Sequence, residues 1–389
     1  MIKIIKGADV YTPSYIGKKD VLIVGGKIEA VEEEIIVESN CAQIEVINGF
    51  DQYLVPGFID AHVHIMGGGG EGSYRTRTPE MTLTDATTSG ITTVVGVIGT
   101  DGTTRTMASL LAKCRALEEE GITSYIYTGS YQVPVKTLTD TIENDLILID
   151  KIIGSGEIAI ADHRSSQPTF EEMAKIASAS RIGGMLSGKS GIVNIHVGAG
   201  KSKLSLLEKV VDETDIPITQ FYPTHINRNR EVFEEGVRWA LKGGYVDFTT
   251  STVQRFLSNG EVSCATALSE MLKAGVSLDQ ITFTSDAQGS LPEFNENGDL
   301  IGLQVGKLSS LFEAVKKAVV DYNIPLEQAL AVITKNPAKI LKLNNKGEIQ
   351  KGKDADLLLL DKNLTIMSVI AKGNVMIKDK HIIKKGTFE

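Results

Sequence analysis

The sequence predicts an α/β protein, a (β/α)8 TIM barrel with a small β-sandwich domain formed by both chain ends. Eight short apolar runs recur at intervals of roughly thirty residues, which is the period of one strand and one helix. Amphipathic stretches lie between these runs, and β-rich segments flank the whole array. A doubly wound parallel sheet is the alternative, but its strand count and ligand placement fit this pattern less well.

The β domain is expected from short strand patterns at both ends of the chain. Pro56-Gly57 marks the change from these patterns to the barrel pattern. We therefore assign residues 1–56 and 345–389 to the β-sandwich domain and residues 57–344 to the barrel. The predicted strands of the β domain are Ile2–Ile5, Asp20–Val24, Lys27–Val31, Gln43–Ile47, Ala355–Leu360, Ile366–Ala371, Asn374–Ile377 and His381–Ile383.

The barrel strands are expected to end together at one mouth, where enzymes of this architecture place their chemistry. Their predicted positions are Phe58–Ile65, Thr92–Ile98, Ser124–Thr128, Glu157–Ala161, Ile192–Val197, Ile218–Pro223, Tyr245–Thr250 and Ile281–Ser285.

Composition excludes several classes of protein. The chain has 389 residues and a net charge of -9, which argues against a nucleic acid or an anionic membrane as a partner. No apolar run approaches the ~18 residues needed to span a bilayer, and the first residues resemble a strand rather than a signal peptide, so a cytoplasmic location is expected. Cys41, Cys114 and Cys264 lie too far apart to predict a disulfide framework or a cysteine metal site.

The clearest chemical signal is His62-Val63-His64 at the end of the first predicted barrel strand. Alternate side chains of a strand face the same way, so both imidazoles point together. The alternative is a pair of hydrogen-bonded core histidines. A metal site is preferred because this spacing at a strand end provides two ligands at once.

Three further residues end predicted barrel strands in the same way: His196, His225 and Asp286. Each alone would more often be structural. Together with the histidine pair they are expected to converge at one barrel mouth. Imidazole nitrogen with carboxylate oxygen suits Zn²⁺, and Mn²⁺, Co²⁺ or Fe²⁺ also fit.

Longer motifs carry a resemblance to a known family. The run from Pro56 to His64, Pro-Gly-Phe-Ile-Asp-Ala-His-Val-His, resembles the opening signature of the amidohydrolase superfamily, and Gly352–Leu357 resembles its return strand to the β domain. Finer features resemble the isoaspartyl dipeptidases within it. They are Gly67–Glu71, Gly129–Tyr131, Asp162–Ser165, Thr224–Asn229 and Ser285–Ser290.

One position departs from that family. Its familiar members carry a carboxylated lysine on the fourth strand that bridges two metals, whereas this chain has Glu157 there. Lys151 is expected in the preceding helix. Glutamate supplies a carboxylate directly, so we expect Glu157 to bridge two metals. The alternative is a salt-bridged glutamate at a strand start beside a single metal.

The resemblance implies a binuclear metallo-dipeptidase with two divalent cations, most simply Zn²⁺. His62, His64 and Asp286 would hold the more buried cation. His196 and His225 would hold the second, with Glu157 between the two. A water shared by both cations would be the nucleophile, Asp286 would move its proton to the leaving amine, and Tyr131 would stabilise the oxyanion.

The resemblance also implies how a β-aspartyl dipeptide would be bound. Glu71 would pair with the free α-amine, while Arg164 and Arg228 would each take a carboxylate. Thr100 and Ser290 would add hydroxyl contacts. Gly69 would add a backbone contact.

Two other functions remain open. One is a cyclic-amide hydrolase, such as a dihydroorotase or hydantoinase, on the same scaffold. The other is a catalytically silent scaffold protein, which would require lost ligands. The partner implied by the resemblance is a small dipeptide. The family tends to form large homo-oligomers, so a homo-oligomer is expected, with the β domain as a candidate contact surface.

Overall fold

The computed structural model describes residues 2–38, 40, 43–295 and 300–389. Cys41 lies outside the described residues, whereas Cys114 and Cys264 are buried free thiols. Within the described ranges, no helix is both long enough and apolar enough to cross a bilayer.

The N-terminal part of the β domain begins with a long hairpin. Its two strands pair antiparallel from Ile2 opposite Val24 to Tyr11 opposite Tyr15, so both are longer than the sequence predicts. A bulge between Ile5 and Ala8 interrupts the alternation that would have revealed the extension. The strands of this part are β1 (Ile2–Tyr11), β2 (Tyr15–Val24), β3 (Lys27–Glu32), β4 (Ile44–Asn48) and β5 (Tyr53–Pro56).

Eight parallel strands then form the barrel, as the sequence predicts. They are β6 (Phe58–Val63), β7 (Ile91–Gly96), β8 (Thr123–Thr128), β9 (Ile152–Ile160), β10 (Ile192–Val197), β11 (Phe221–Thr224), β12 (Val246–Thr249) and β13 (Ile281–Thr284). Strands β6 to β11 pair in chain order, and β12 pairs with β13. Main-chain hydrogen bonds from Asp286 N to His62 O (3.2 Å) and from Ile226 N to Asp247 O (3.1 Å) close the ring.

Two predicted strand starts are corrected. Strand β9 begins at Ile152, five residues before the predicted start, because Gly154 and Gly156 hide its apolar pattern. Lys151 therefore lies in the turn before β9 rather than in a helix, and no lysine occupies the strand. Strand β11 begins at Phe221, because the residues predicted to open it form a short 3-10 helix, Ile218–Gln220.

Helices surround the barrel strands and bury their apolar faces against them. In one of them, Met107–Glu120, the Thr106 side chain caps the first turn by accepting from Ser109 N, and Gly121 ends it. The α-helices are α1 (Leu83–Thr88), α2 (Met107–Glu120), α3 (Ile142–Leu148), α4 (Phe170–Ser187), α5 (Ser205–Glu213), α6 (Arg230–Leu241), α7 (Gln254–Ser258), α8 (Cys264–Lys273), α9 (Ser310–Tyr322), α10 (Leu326–Ala331) and α11 (Lys335–Ile340). Further short 3-10 helices are Tyr74–Thr76 and Leu278–Gln280.

A hairpin at the barrel mouth, which the sequence reading missed, follows the last barrel strand. It consists of β14 (Ser290–Phe294) and β15 (Leu300–Val305). The chain then returns to the β domain through β16 (Leu357–Leu360), β17 (Ile366–Ala371), β18 (Asn374–Lys378) and β19 (His381–Ile382).

Both chain ends contribute to one hydrogen-bonded sheet, which confirms the predicted β domain. Its order is β19-β18-β17-β16-β5-β1-β2-β3, with β4 beside β1. The two ends meet where β16 pairs antiparallel with β5. The strand β6 thus starts directly from this sheet, and its opposite end carries His62 and leads to His64 at the barrel mouth.

Candidate active site

The candidate ligands lie on or just beyond the carboxyl ends of five barrel strands. Parallel strands end at the same edge, so side chains distant in sequence meet there. These residues are His62 and His64 at β6, Glu157 on β9, His196 on β10, His225 after β11 and Asp286 after β13.

One group joins the histidine pair to Asp286. The Nε2 atom of His64 lies 3.1 Å from Asp286 Oδ1, and that of His62 lies 3.8 Å from the same oxygen. The ligand atoms of these three residues all lie within 4.8 Å of one another. Such a group is compact enough to share one cation.

A second group is centred on Glu157, which is 1% exposed. Its Oε1 atom lies 2.9 Å from His196 Nδ1, 3.4 Å from His62 Nε2 and 3.6 Å from His225 Nε2. Gly156 makes this placement possible, because its φ of +131° suits glycine and a Cβ there would lie 2.4 Å from the carbonyl of Asn194. The glutamate thus contacts both halves of the predicted ligand set.

The polar atoms of this cluster fit a bound cation. Buried polar atoms almost always have a hydrogen-bond partner. Among the described residues, five buried atoms of the predicted ligands have none: His62 Nε2, His64 Nδ1, His225 Nε2, Glu157 Oε2 and Asp286 Oδ1. Nitrogen and oxygen donors left in this way provide the donor set that Zn²⁺ and related divalent ions prefer.

Two of the predicted ligands also adopt a strained backbone. His225 has a φ of 64° and Asp286 a φ of 52°, in the left-handed region that non-glycine residues rarely enter. Each such residue costs about 1–3 kcal/mol, and residues of this kind concentrate at functional sites. The fold therefore holds these two side chains at the barrel mouth at some expense of stability.

The two carboxyl groups are held ionised. Burial alone would raise the pKa of Glu157, but the charge of His62 and the hydrogen bond to His196 outweigh it and leave the pKa well below its ordinary value. Burial is likewise outweighed at Asp286, where contact with His64 contributes to lowering the pKa to about 2. Both groups are therefore available as anionic ligands at neutral pH.

The imidazoles differ in charge. Burial, with help from the nearby charge of Arg228, lowers the pKa of His225 to about 3, so its ring is neutral. Burial opposes protonation of His62 as well, but Glu157 outweighs it and raises the pKa of His62 to about 9. A cation bound at His62 would therefore have to displace a proton.

Three supporting residues were missed by the sequence reading. Asn194 Oδ1 lies 3.2 Å from His62 Nδ1, and Thr249 Oγ1 lies 2.5 Å from His225 Nδ1. Asp162 Oδ2 lies 3.0 Å from His196 Nε2. Groups that bind the second ring nitrogen orient a ligand histidine.

A signal for two of them was present in the sequence. Asn194 precedes His196 by two residues on one strand and so shares its face. Asp162 follows the strand that carries Glu157, within the recognised Asp162–Ser165 motif. The contact of Thr249 with His225 joins the ends of two different strands, and no local sequence pattern predicts it.

The predicted substrate-binding residues form a second cluster beside the ligands. Glu71 Oε1 accepts from Arg164 Nη1 at 3.1 Å and from Thr100 Oγ1 at 3.3 Å, while Glu71 Oε2 accepts from Ser290 Oγ at 2.9 Å. Arg164 also binds Asp162 through Nε (3.0 Å) and Nη2 (2.8 Å). Oppositely charged side chains are thus already hydrogen-bonded to one another at the barrel mouth.

One cavity of about 860 Å³ connects the two clusters. This size is within the range of small-molecule sites. It is lined by the six predicted substrate residues Gly69, Glu71, Thr100, Arg164, Arg228 and Ser290, and by Tyr131, His64, His196, His225 and Asp286. Glu157 and His62 lie in the buried layer next to it.

Tyr131 and Arg228 occupy different parts of this cavity wall. The hydroxyl of Tyr131 lies 2.8 Å from His196 Nδ1, and burial raises the pKa of this phenol well above its ordinary value. Tyr131 is therefore a neutral donor at the ligand cluster. Arg228 donates from Nε to the carbonyl of Val197 at 3.0 Å, so its guanidinium is fixed to the wall by the end of β10.

Glu261 also lines the cavity and gives a pH-dependent prediction. Burial raises the pKa of its carboxyl from 4.5 to about 7. Because the folded state favours the protonated form, the contribution of Glu261 to the free energy of unfolding should fall as pH rises from 4.5 to 7, by an amount on the order of 3 kcal/mol. Glu261→Gln should therefore raise Tm little at pH 4.5 and most above pH 7.

Thermal melts of the wild-type protein and of Glu261→Gln, each loaded with the same cation, measure the difference in Tm between them. Effects of pH on cation binding common to both proteins cancel in it. A Tm difference that stays constant between pH 4.5 and pH 8 would contradict the raised pKa of Glu261.

Comparison with known proteins agrees with this architecture. The sequence model of the amidohydrolase family matches residues 53–386. A dihydroorotase from Aquifex aeolicus is 26% identical over 92% of this chain and 89% of its own length. An adenine deaminase from Methanosphaera stadtmanae is 24% identical over 87% of this chain, which spans only 54% of that protein.

Solved structures extend the comparison. A β-aspartyl dipeptidase from Fervidobacterium islandicum AW-1, in complex with the β-Asp-Leu dipeptide, is 47% identical, with a TM-score of 0.93 over 98% of this chain and 97% of that chain. A dihydropyrimidinase from Brevibacillus agri is 18% identical, with a TM-score of 0.70 over 99% of this chain and 97% of that chain, and so shares the fold. The family match covers both the barrel and the return to the β domain, and the chain belongs to the amidohydrolase family.

Proposed function

We propose that this protein hydrolyses the isopeptide bond of β-aspartyl dipeptides with the help of two divalent cations. The observation that carries the proposal is the single cavity in which Glu71 and Arg164, paired at 3.1 Å, lie beside the histidine and carboxylate cluster. A dipeptide with a free amine and two carboxylates matches such paired charges. The 47% identity to a β-aspartyl dipeptidase supports the same substrate class.

The buried nitrogen and oxygen donors suit divalent cations of the Zn²⁺ type, and we propose that two are bound. His62, His64 and Asp286 would hold one, His196 and His225 the other, and Glu157 would lie between them. Bound divalent cations polarise a carbonyl and lower the pKa of a shared water to about 7. Glu157 would supply the negative charge for this without the carboxylation that a lysine needs.

Asp286 is the proton carrier of the proposed reaction. Its low pKa leaves the carboxylate ready to accept a proton from the attacking water. Within the Asp286 carboxylate, Oδ1 is the oxygen that lies next to the Nε2 atoms of His64 and His62. The same carboxyl would then deliver the proton to the leaving amine as the amide bond breaks.

Tyr131 would stabilise the oxyanion that develops on the scissile carbonyl. Its phenol is neutral and therefore a donor, and it lies within hydrogen-bond distance of the ligand His196. A preorganised donor of this kind contributes roughly 2.7–4 kcal/mol to lowering the barrier.

Glu71 and the two arginines would select the substrate. In the structure the Arg164 guanidinium lies between the carboxylates of Glu71 and Asp162. An incoming ammonium would pair with Glu71 and a carboxylate with Arg164, so the substrate exchanges an internal ion pair for two intermolecular ones. Arg228, on another part of the wall, is left to bind the second carboxylate.

Arg228→Ala is expected to raise KM for β-Asp-Leu strongly and to reduce the discrimination between β- and α-aspartyl dipeptides. Leaving one substrate carboxylate unpaired costs about 2–5 kcal/mol. Steady-state kinetics with β-Asp-Leu and α-Asp-Leu measure both effects. Arg230→Ala is the matched control, because this exposed arginine pairs with Glu270 on the outer surface. Unchanged kinetics in the Arg228 variant would contradict its role.

A substrate panel tests the proposed activity as a whole. The purified protein, loaded with Zn²⁺, is assayed with β-Asp-Leu, dihydroorotate and a hydantoin. We expect β-Asp-Leu to be the preferred substrate. Preference for a cyclic amide would instead favour a cyclic-amide hydrolase, the class to which its dihydroorotase relatives are assigned by name. If no amide were hydrolysed, a catalytically silent scaffold protein would be favoured.

A further inference from the structure

A buried arginine outside the predicted site contacts the glycine-rich loop at the barrel mouth. Arg105 lies between β7 and α2 and its side chain is 3% exposed. Its Nη2 donates to the carbonyl of Gly68 at 2.5 Å and its Nη1 to the carbonyl of Gly69 at 3.3 Å. Burying a guanidinium is costly unless its donors are used. Here the two terminal nitrogens are used on the main chain of one loop, whereas Nε has no hydrogen-bond partner among the described residues.

That loop, residues 67–72, carries Glu71, and we call it the glycine loop. Gly69 has a φ of +70°, a conformation that suits glycine and that glycine also leaves easily, since it is the most flexible residue. The glycine loop therefore needs external contacts to hold Glu71 in one place.

A small ionic network supplies these contacts. Asp101 Oδ2 lies 2.8 Å from Arg77 Nη1 and 3.6 Å from Arg105 Nη1. Arg77 in turn pairs with Gly69 through a main-chain bridge. The next residue before Asp101 is Thr100, whose hydroxyl donates to Glu71. One short segment, residues 100–105, thus holds both the loop backbone and the Glu71 carboxylate.

We propose that Arg105 is a positioning residue that sets the selectivity for the free α-amine of the substrate, by fixing the glycine loop so that Glu71 faces the cavity. The inference rests on the proposed function. Arg105 is too buried to reach a dipeptide in the cavity, and both of its terminal nitrogens are occupied by loop carbonyls. Its effect must therefore pass through the loop to Glu71.

The test compares two substrates that differ only in the amine. Succinyl-leucine has the same scissile amide as β-Asp-Leu and both carboxylates, but no α-amine. In Arg105→Met, kcat/KM for β-Asp-Leu should fall about 10- to 100-fold, mainly through KM, because a displaced binding group weakens a fitted site by this order. The value for succinyl-leucine should change less than threefold, and the bound cations should stay at the wild-type number.

A double-mutant cycle shows whether Arg105 acts through Glu71. In a Glu71→Gln background, Arg105→Met should have almost no further effect on β-Asp-Leu, because residues of one unit are not additive. Arg115→Met is the matched control, since this exposed arginine on α2 lies outside the site. Arg105→Lys, which keeps the charge but not the two-pronged contact, should fall between wild type and Arg105→Met. It also provides a measurement if the methionine variant does not fold.

Several results would overturn the inference. They are equal losses on both substrates, full additivity with Glu71→Gln, a loss of bound cations, or unchanged kinetics in both Arg105 variants. A failure of the proposed function would be distinguishable from these results, because the wild-type protein itself would then not hydrolyse β-Asp-Leu.

Discussion

Replacing Asp286 by asparagine is expected to lower kcat for β-Asp-Leu by about 100- to 10,000-fold, the range that a positioned acid–base group contributes. The amide keeps the size of the side chain but accepts no proton. The strained backbone at φ 52° tolerates asparagine, so the fold should survive. Stopped assays at saturating β-Asp-Leu measure the loss, and bound cations are counted in the same samples.

The control for this variant is Asp279→Asn. That aspartate pairs with Lys339 at 2.5 Å, away from the barrel mouth, and its kcat should stay within twofold of wild type. A kcat for Asp286→Asn within tenfold of wild type, at full cation occupancy, would show that another group carries the proton.

Replacing Glu157 by glutamine is expected to lower the number of bound cations from two to one or fewer, and kcat with it. The change removes the charge of the carboxylate whose Oε1 atom lies within 3.6 Å of His62, His196 and His225. Repulsion between two cations would then have no carboxylate between them to offset it. Elemental analysis of the purified variant after loading with Zn²⁺ measures the stoichiometry.

Glu119→Gln serves as the control, because Glu119 is an exposed residue of α2. It should bind the wild-type number of cations. Retention of two cations and of wild-type kcat in Glu157→Gln would contradict the bridging role and would leave Glu157 as a buried ionic partner of the histidines.

Much of the fold could be predicted from periodicity. The βα repeat placed the barrel strands, because each apolar run must be covered by a helix on its outer face. Errors arose where glycine interrupts the apolar pattern. Gly154 and Gly156 hid the first half of β9, although this is the strand that carries Glu157. The hairpin of β14 and β15 was missed as well.

The candidate ligands could be located for a similar reason. Strand ends in a parallel barrel converge, so a histidine or aspartate after each strand predicts a cluster without knowledge of distances. Contacts between loops have no such rule. The ion pair of Glu71 with Arg164 joins positions 93 residues apart, and the contact of Arg105 with Gly68 joins two separate loops. Only three-dimensional coordinates bring these together.

Removing the cations and adding them back is the most direct test of whether the protein uses two divalent cations to hydrolyse β-Asp-Leu. The protein is dialysed against a chelator, assayed with β-Asp-Leu, and then titrated with Zn²⁺ while hydrolysis is followed. We expect chelation to abolish hydrolysis, and we expect activity to return and to level off at two equivalents of Zn²⁺ per chain. Hydrolysis that persists in the chelated, metal-free protein would contradict it.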